Sequence, residues 1–217
     1  MPSPEQLEVP RQSWSRLLDR YKVASPDAAP VFDLLVATYS APDRHYHNLD
    51  HLAEVFRTAA RLASITDDPS AVQLAIWFHD AVYDPRAKDN EARSADLAVK
   101  LLGPIGVPRS ELDRVTQLVR ATAHLTDDRP PRDRETALLL DADLAILGAP
   151  EDRNRRYAAD VRKEYTWVPE NEYRKGRANV LAHFLARPRL FWSDLLHQEI
   201  AAQARANMTA ELAALRG

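Results

Sequence analysis

The sequence predicts an all-α protein that folds as a single domain. Glycine is scarce, with five residues against fifteen prolines, and β-architectures usually need more glycine-rich turns. Apolar residues make up 45% of the chain and recur at helical spacing through almost all of it. The 217 residues contain no internal repeat and no linker long enough to separate two domains, so we expect one domain over 1–217.

Local signals mark the faces and ends of several expected helices. The first places Trp14, Leu17 and Tyr21 on one face, and the third repeats apolar residues from Leu49 to Ala59. The fourth carries a proline in its first turn, where the missing N–H does no harm. The fifth runs from a capping aspartate to a terminal glycine. The others follow from the same periodicity. The ten expected helices span Ser13–Tyr21, Pro30–Ser40, Asn48–Ser64, Asp68–Asp84, Asp89–Gly103, Ser110–His124, Glu135–Leu147, Glu151–Trp167, Glu170–Ala186 and Ser193–Leu215.

Composition excludes several classes of protein. The chain has no cysteine, so disulfides and thiolate metal sites are excluded, and any metal must be held by His, Asp or Glu. A formal net charge of −3 gives no electrostatic reason to expect a nucleic-acid partner. No apolar run approaches the roughly 20 residues that span a bilayer. The N-terminal segment MPSPEQLEVPRQ lacks the pattern of a signal peptide. We therefore expect a cytoplasmic protein with no membrane partner.

Histidines are concentrated in the segment HYHNLDH, which holds three of the seven in the chain. His47 and His51 are four residues apart, so they share a face where the segment is helical. His79 and Asp80 lie together near the end of an apolar helix, where a charged pair is costly to bury without a partner. Taken singly, these residues have ordinary readings, such as a core-edge histidine or a helix-terminal cation.

Two carboxylates interrupt the apolar segment LLLDADLAILG. Asp141 and Asp143 are two residues apart and point about 200° away from each other on a helix, so at least one faces the interior. A buried carboxylate needs a cation or a hydrogen-bond network. Two imidazoles and two carboxylates from three helices would hold one divalent metal ion and leave positions open for water and substrate.

The order of these residues resembles a known signature. His51, then His79 and Asp80, then Asp143 follow the H…HD…D pattern of the HD superfamily of metal-dependent phosphohydrolases. The chain is most similar to a group of uncharacterised predicted HD phosphohydrolases. The segments that carry the likeness are Tyr46–Val55, Phe78–Pro85, Asn90–Ala95, Asp141–Gly148, Val161–Val168 and Gly176–Leu185.

The resemblance implies an HD-type helical bundle with a metal core at about 44–148 and C-terminal helices at 150–217 packed on it. It also implies one divalent ion, Mn²⁺, Mg²⁺, Fe²⁺ or Zn²⁺, as cofactor. Asp143 is preferred to Asp141 as the last ligand, because that ligand commonly sits in an Ala–Asp pair in the superfamily. The implied ligands are His51, His79, Asp80 and Asp143.

Two catalytic residues are expected by the same route. The box YHNLDHLAEV resembles one in the cyclic nucleotide phosphodiesterases, where the histidine of Tyr-His-Asn is a general acid; here it is His47. An imidazole can donate a proton near neutral pH, although His47 could instead only stack on Tyr46. The phosphodiesterases carry a second histidine shortly after the HD pair. This chain has Asp84 there, four residues after Asp80, either orienting the attacking water or serving as a helix-end acid.

Supporting residues are expected around the site. Glu91 is a candidate to hydrogen-bond a ligand imidazole, and His124 is expected to cap helix carbonyls rather than enter the site. Four cations are candidates for phosphate contact: Arg44, Arg162, Lys163 and Arg177.

The function expected from the resemblance is hydrolysis of a small phosphoester, such as a nucleotide, by metal-activated water. One alternative is a di-iron oxygenase built on the same scaffold, which would need more histidines near the site. The other is a non-catalytic regulator that binds a metal or a nucleotide. The apolar spacing of the C-terminal segment would also allow a homo-oligomer.

Overall fold

The computed structural model describes residues 4–125 and 129–217; residues 1–3, which begin the N-terminal segment judged to lack a signal pattern, and 126–128 lie outside this description. The described residues form ten α-helices and two short 3₁₀ helices, with no strand among them, which confirms the all-α fold class. The helices are α1 (Pro4–Asp19), α2 (Ser25–Tyr39), α3 (Leu49–Arg61), α4 (Ser70–Phe78), α5 (Asn90–Leu102), α6 (Arg109–Ala121), α7 (Arg134–Leu144), α8 (Glu151–Glu164), α9 (Glu170–Ala186) and α10 (Asp194–Arg216), and the 3₁₀ helices are Ala63–Ile65 and Ala145–Gly148.

Helix α4 is the centre of the core. Nearly every residue of it is buried, and it packs on α1, α3, α5, α6 and α7. Trp77 contacts the rings of Trp14, Phe32 and Phe56 at centroid distances of 5.5–5.6 Å. Burial of each large apolar side chain contributes about 1.5–3 kcal/mol. The helix that ends at His79 is therefore held from several sides.

Helix α4 ends at Phe78, well before the expected Asp84, because side chains from elsewhere satisfy the backbone beyond it. Arg44 donates to the carbonyls of the aspartate in the His-Asp pair and of the next alanine, at 2.6 and 3.1 Å. The Ser94 hydroxyl bonds both the N–H and the carbonyl of Val82. These contacts replace the bonds of a further helical turn.

Two other helix ends differ from expectation for local reasons. Helix α2 begins at Ser25 instead of Pro30, because Pro26 occupies its first turn and Pro30 lies on an exposed side. Helix α8 ends at Glu164 instead of Trp167, because Arg162 donates to carbonyls in the corner that leads to α9.

The C-terminal helices pack against the end of α7. A Cβ atom at Gly148 would lie 2.7 Å from the Cβ of Ile200, so only glycine allows α10 to approach this closely. The Asn207 amide donates to the carbonyls of Leu147 and Ala149 at 2.8 and 2.9 Å. None of the helices within 4–125 and 129–217 combines the length and apolar character needed to cross a bilayer.

Candidate metal centre

Two imidazoles and a carboxylate converge where α3 begins and α4 ends. His51 lies in the first turn of α3, and His79 and Asp80 follow α4 directly. The Nε2 atoms of the two histidines are 3.1 Å apart. Asp80 Oδ2 lies 3.1 Å from Nε2 of His79 and 3.5 Å from Nε2 of His51. These three residues could hold a metal ion.

Asp143 brings a second carboxylate to the cluster from α7. Its Oδ1 lies 3.3 Å from Nε2 of His51 and 3.6 Å from Nε2 of His79. Asp141 points the other way and accepts the backbone N–H groups of Trp192 and Ser193 at 2.7 and 2.6 Å. The side chains of Asp141 and Asp143 point in nearly opposite directions, as expected for residues two apart on a helix. One meets the histidines, and the other holds the start of α10.

The distances among His51, His79 and Asp80 fit one small cation, and Asp143 lies at similar distances from the two histidines. With metal–ligand bonds of about 2.1 Å, adjacent ligands are about 3.0 Å apart in an octahedral site and about 3.4 Å apart in a tetrahedral one. The two histidine Nε2 atoms lie 3.1 Å from each other. Each of them lies 3.1–3.6 Å from an oxygen of Asp80 and from an oxygen of Asp143. Imidazole and carboxylate donors suit Zn²⁺, Fe²⁺ and Mn²⁺, and carboxylates suit Mg²⁺.

The two carboxylates of the cluster are ionised, and the protonated histidines beside them balance their charge. Burial alone would raise the pKa of the Asp80 carboxyl, but the charges on His79 and His47 and bonds from the histidines hold it well below its usual range. Asp143 behaves in the same way beside His79, His124 and His51. Burial would lower the pKa of His79, but the two carboxylates raise it well above its usual value. A divalent ion would neutralise both acids.

Backbone groups fix the ligand ring of His79. Its Nδ1 lies 2.9 Å from the carbonyl of Ile76, and because a carbonyl only accepts, Nδ1 carries a proton. Nε2 faces the carboxylates and would bind a metal in place of its own proton. The supporting group is thus this carbonyl and not Glu91. The Tyr39 hydroxyl donates to the carbonyl of Trp77 and accepts the N–H of Asp80, at 3.2 and 3.3 Å.

His47 is held beside the cluster by Glu164, which the sequence reasoning did not identify. Glu164 Oε2 lies 2.7 Å from His47 Nδ1 and accepts the Tyr83 hydroxyl at 2.9 Å. Glu164 Oε1 accepts the N–H groups of Tyr46 and His47 at 2.7 and 3.0 Å. The His47 ring stacks on Tyr83 at 4.1 Å and lies 5.8 Å from the ring of His51.

The hydrogen bonds to Glu164 determine its charge. Burial would raise the pKa of Glu164, but the bond and charge of His47 and the two backbone N–H groups lower it to about 2. Glu164 is therefore ionised, and because a carboxylate only accepts, His47 Nδ1 carries a proton. The sequence held one weak signal: Glu164 ends α8, where the helix dipole disfavours an acid unless something else holds it.

His124 enters the site, against the expectation that it only caps a helix. Its Nε2 lies 2.7 Å from Asp143 Oδ2, and its carbonyl accepts a hydrogen bond from Arg187. An ionised carboxylate only accepts, so Nε2 of His124 carries a proton and orients Asp143.

Asp84, the expected orienter of the attacking water or helix-end acid, lies beyond helix α4, which ends at Phe78. Asp84 instead shapes a turn. Its Oδ1 accepts the N–H of Arg86 at 2.9 Å, and its own N–H and carbonyl bond the side chain of Asn90 at 3.0 and 2.8 Å.

The four candidate phosphate-binding cations have partners outside the cluster of ligands. Arg44 bonds three backbone carbonyls and ties the first histidine box to the His-Asp pair. Arg162 bonds the corner between α8 and α9, and Lys163 pairs with Asp160 at 2.7 Å. Arg177 is buried and pairs with both oxygens of Glu211. Of these four cations only Arg44 reaches a ligand residue, and it does so through the backbone carbonyl of Asp80.

The carboxylates of the cluster are more exposed than its two histidines. The side chains of His51 and His79 are only 2% and 1% exposed, whereas those of Asp80 and Asp143 are 18% and 14% exposed. His47 is 21% exposed on the same cluster.

Comparison of the chain with protein-family models, with curated proteins and with solved structures finds no match. The assignment to the HD superfamily stays a prediction carried by the motifs.

Proposed function

We propose that the chain is an HD-type metal-dependent phosphohydrolase whose ion is held by His51, His79, Asp80 and Asp143. The observation that carries the proposal is the convergence of two histidine Nε2 atoms, 3.1 Å apart, on two carboxylates. When bound, one divalent ion (Mn²⁺, Mg²⁺, Fe²⁺ or Zn²⁺) would lower the pKa of a water and polarise a phosphoryl oxygen. A small phosphoester is the substrate.

His47 supplies the proton that the leaving oxygen needs. Its Nδ1 is fixed by Glu164 at 2.7 Å, so the proton to be transferred is the one on Nε2. Tyr83 stacks on the ring at 4.1 Å and bonds the same carboxylate, which leaves the imidazole one orientation. A positioned general acid contributes about 10²–10⁴-fold to the rate.

Arg44 serves this site as a positioning residue. Its guanidinium bonds the carbonyls of His47, Asp80 and Ala81 and so joins the proton donor to a metal ligand. Loss of this clamp would loosen both groups together, whereas a phosphate-binding cation would affect only substrate affinity.

The proposal is tested by assaying phosphomonoesters and phosphodiesters with each of the four ions. We expect turnover with at least one ion, its loss in His51→Ala, and its retention in His45→Ala. His45 is the matched control, since it belongs to the same segment, is exposed, and forms a hydrogen bond with the described residues only through its carbonyl, which accepts from Asn48. Absence of turnover on every ester with every ion would contradict the proposal.

A second candidate is a di-iron oxygenase, and the contact of His124 with Asp143 at 2.7 Å is what favours it. This third imidazole would have to give up its Nε2 proton to bind a second ion. Two irons per chain with oxygen uptake would support this candidate, and one ion with phosphate release would exclude it.

A further inference from the structure

A cavity lies beside the ligand cluster, between α3, the end of α7 and the start of α8. Its volume is about 310 Å³, at the small end of the range for ligand sites. Two of the proposed ligands, His51 and Asp143, line it. Residues 51, 54, 58 and 61 of α3 also line it, and because they recur every three or four residues they share one face of the helix. The cavity therefore extends from the cluster along α3.

Positive charge predominates in this cavity away from the cluster. Three arginines line it, Arg57, Arg61 and Arg153, against one glutamate, Glu54. Both oxygens of Glu54 accept hydrogen bonds from Arg153, at 2.8 and 2.7 Å, so the charge of this acid is neutralised. Arg61 pairs with Glu199, which does not line the cavity. One arginine thus remains without a counter-charge.

That arginine is Arg57, which is exposed. Its Nε donates to the carbonyl of Ala53 at 3.1 Å, and no carboxylate within residues 4–125 and 129–217 pairs with its guanidinium. A guanidinium binds phosphate or carboxylate oxygens through paired N–H groups. Arg57 follows His51 by six residues, which is about 9 Å along the helix axis. It is therefore placed to bind an acidic group at some distance from the cluster.

The walls of the cavity suit a compact polar chain better than a flat ring. Tyr46 is the only tyrosine, phenylalanine or tryptophan among the described residues that line it. The Tyr46 side chain is buried, and its ring packs against those of His51 and Tyr157 at 4.8 and 4.6 Å. Alanine, valine, isoleucine and proline make up the other apolar lining. Nucleobases bind by stacking on exposed aromatic faces, which this cavity does not offer.

We infer that this cavity binds the second acidic group of a small phosphoester that is not a nucleotide, with Arg57 as the cation that recognises the group. The inference rests on the proposed function, because it takes the scissile phosphate to be bound at the ligand cluster. A hexose bisphosphate belongs to this class of substrate, since its two phosphates lie at opposite ends of a short polar chain. A monophosphate of the same sugar would leave Arg57 without a partner.

Two probes that differ only in the second phosphate, fructose 1,6-bisphosphate and fructose 6-phosphate, test the inference. Their dissociation constants are measured by calorimetry on the purified full-length chain without added divalent ion, so that neither probe is consumed. A hydrogen-bonded pair of charged groups, partly screened by solvent, predicts that the bisphosphate binds about five-fold more tightly or better. Arg57→Gln should reduce this preference to about two-fold or less and leave the affinity for fructose 6-phosphate unchanged.

Arg155→Gln is the matched control, because it removes the same charge from an exposed side chain of α8 that does not line the cavity. Both constants should stay at their wild-type values in this variant. Adenosine 5′-monophosphate should bind no more tightly than fructose 6-phosphate, since its base finds no ring to stack on.

Three results would overturn the inference: no preference for the bisphosphate, a preference that survives Arg57→Gln, or tighter binding of adenosine 5′-monophosphate than of fructose 6-phosphate. Failure of the proposed function would appear differently. No ester would then be turned over with any ion, while the preference for the bisphosphate and its dependence on Arg57 would remain.

Discussion

Substitution of Glu164 by glutamine tests the network that holds His47. Glutamine keeps one oxygen for the two backbone N–H groups, but it turns an amide towards His47 Nδ1 and the Tyr83 hydroxyl. The pKa of Glu164 lies at about 2, against an ordinary value near 4.5. Since a tenfold change in proton affinity is worth about 1.4 kcal/mol, the ionised carboxylate stabilises the fold by about 3 kcal/mol at neutral pH. Its side chain is fully buried, so solvent screening does not reduce this figure.

The ionised Glu164 carboxylate should stabilise the protein at neutral pH and not at low pH. A carboxylate whose pKa is lowered by folding stabilises the protein above its unfolded pKa, and this contribution is lost as the pH falls through the folded value. The difference between wild type and Glu164→Gln should therefore be full at pH 7 and disappear between pH 4.5 and about 2. At pH 7 the variant should melt lower by about 6–12 °C for a chain of this length.

Urea denaturation of both proteins between pH 7 and pH 3 measures this difference. Glu151→Gln is the matched control, because Glu151 lies on the same helix with its side chain 67% exposed, and it should change stability little. A variant as stable as wild type at pH 7, or a difference that stays constant down to pH 3, would refute the reasoning.

The remaining predictions concern the metal ligands and the proton donor. Chelation should lower the melting temperature and Mn²⁺ or Zn²⁺ should restore it, because a ligand of the native state stabilises it; an unchanged melting curve in a metal-free preparation would contradict the ligand assignment. Asp143→Ala should abolish metal binding measured by elemental analysis, whereas Asp141→Ala should keep most of the metal and lose about 3 kcal/mol of stability, since Asp141 accepts two backbone N–H groups. His47→Ala should keep its metal and lose about 10²–10⁴-fold in turnover on esters with poor leaving groups, but much less on nitrophenyl esters; equal losses on both would exclude the general-acid role.

Local pattern pointed to the segments of the proposed ligands, because the chemistry of these residues conflicts with their surroundings, and the resemblance selected the four residues. A histidine–aspartate pair at the end of an apolar helix and two acids in an apolar segment are each costly to bury, and the sequence displays that conflict directly. The choice between Asp141 and Asp143 followed from the resemblance, and the contacts of α7 place Asp143 with the histidines.

The helix ends beside the site were harder to predict. Apolar periodicity continues past Phe78, but Arg44 and Ser94 bond the backbone of the following loop and end the helix there. The same early ending takes Asp84 off the face of Asp80 and into a turn. Such contacts come from residues that are distant in the sequence, so the apolar periodicity of the helix itself cannot predict them.

The sequence by itself determined the helical class and the restriction of any metal to imidazole and carboxylate donors, because periodicity and composition can be read from the sequence alone. The resemblance of its motifs supplied the residues expected in the cluster. Only the tertiary structure decided what surrounds them. Glu164 meets His47 across 117 residues and His124 meets Asp143 across 19. Hydrogen bonds between helices form wherever packing brings donors and acceptors together, and packing is set by the whole core rather than by either segment.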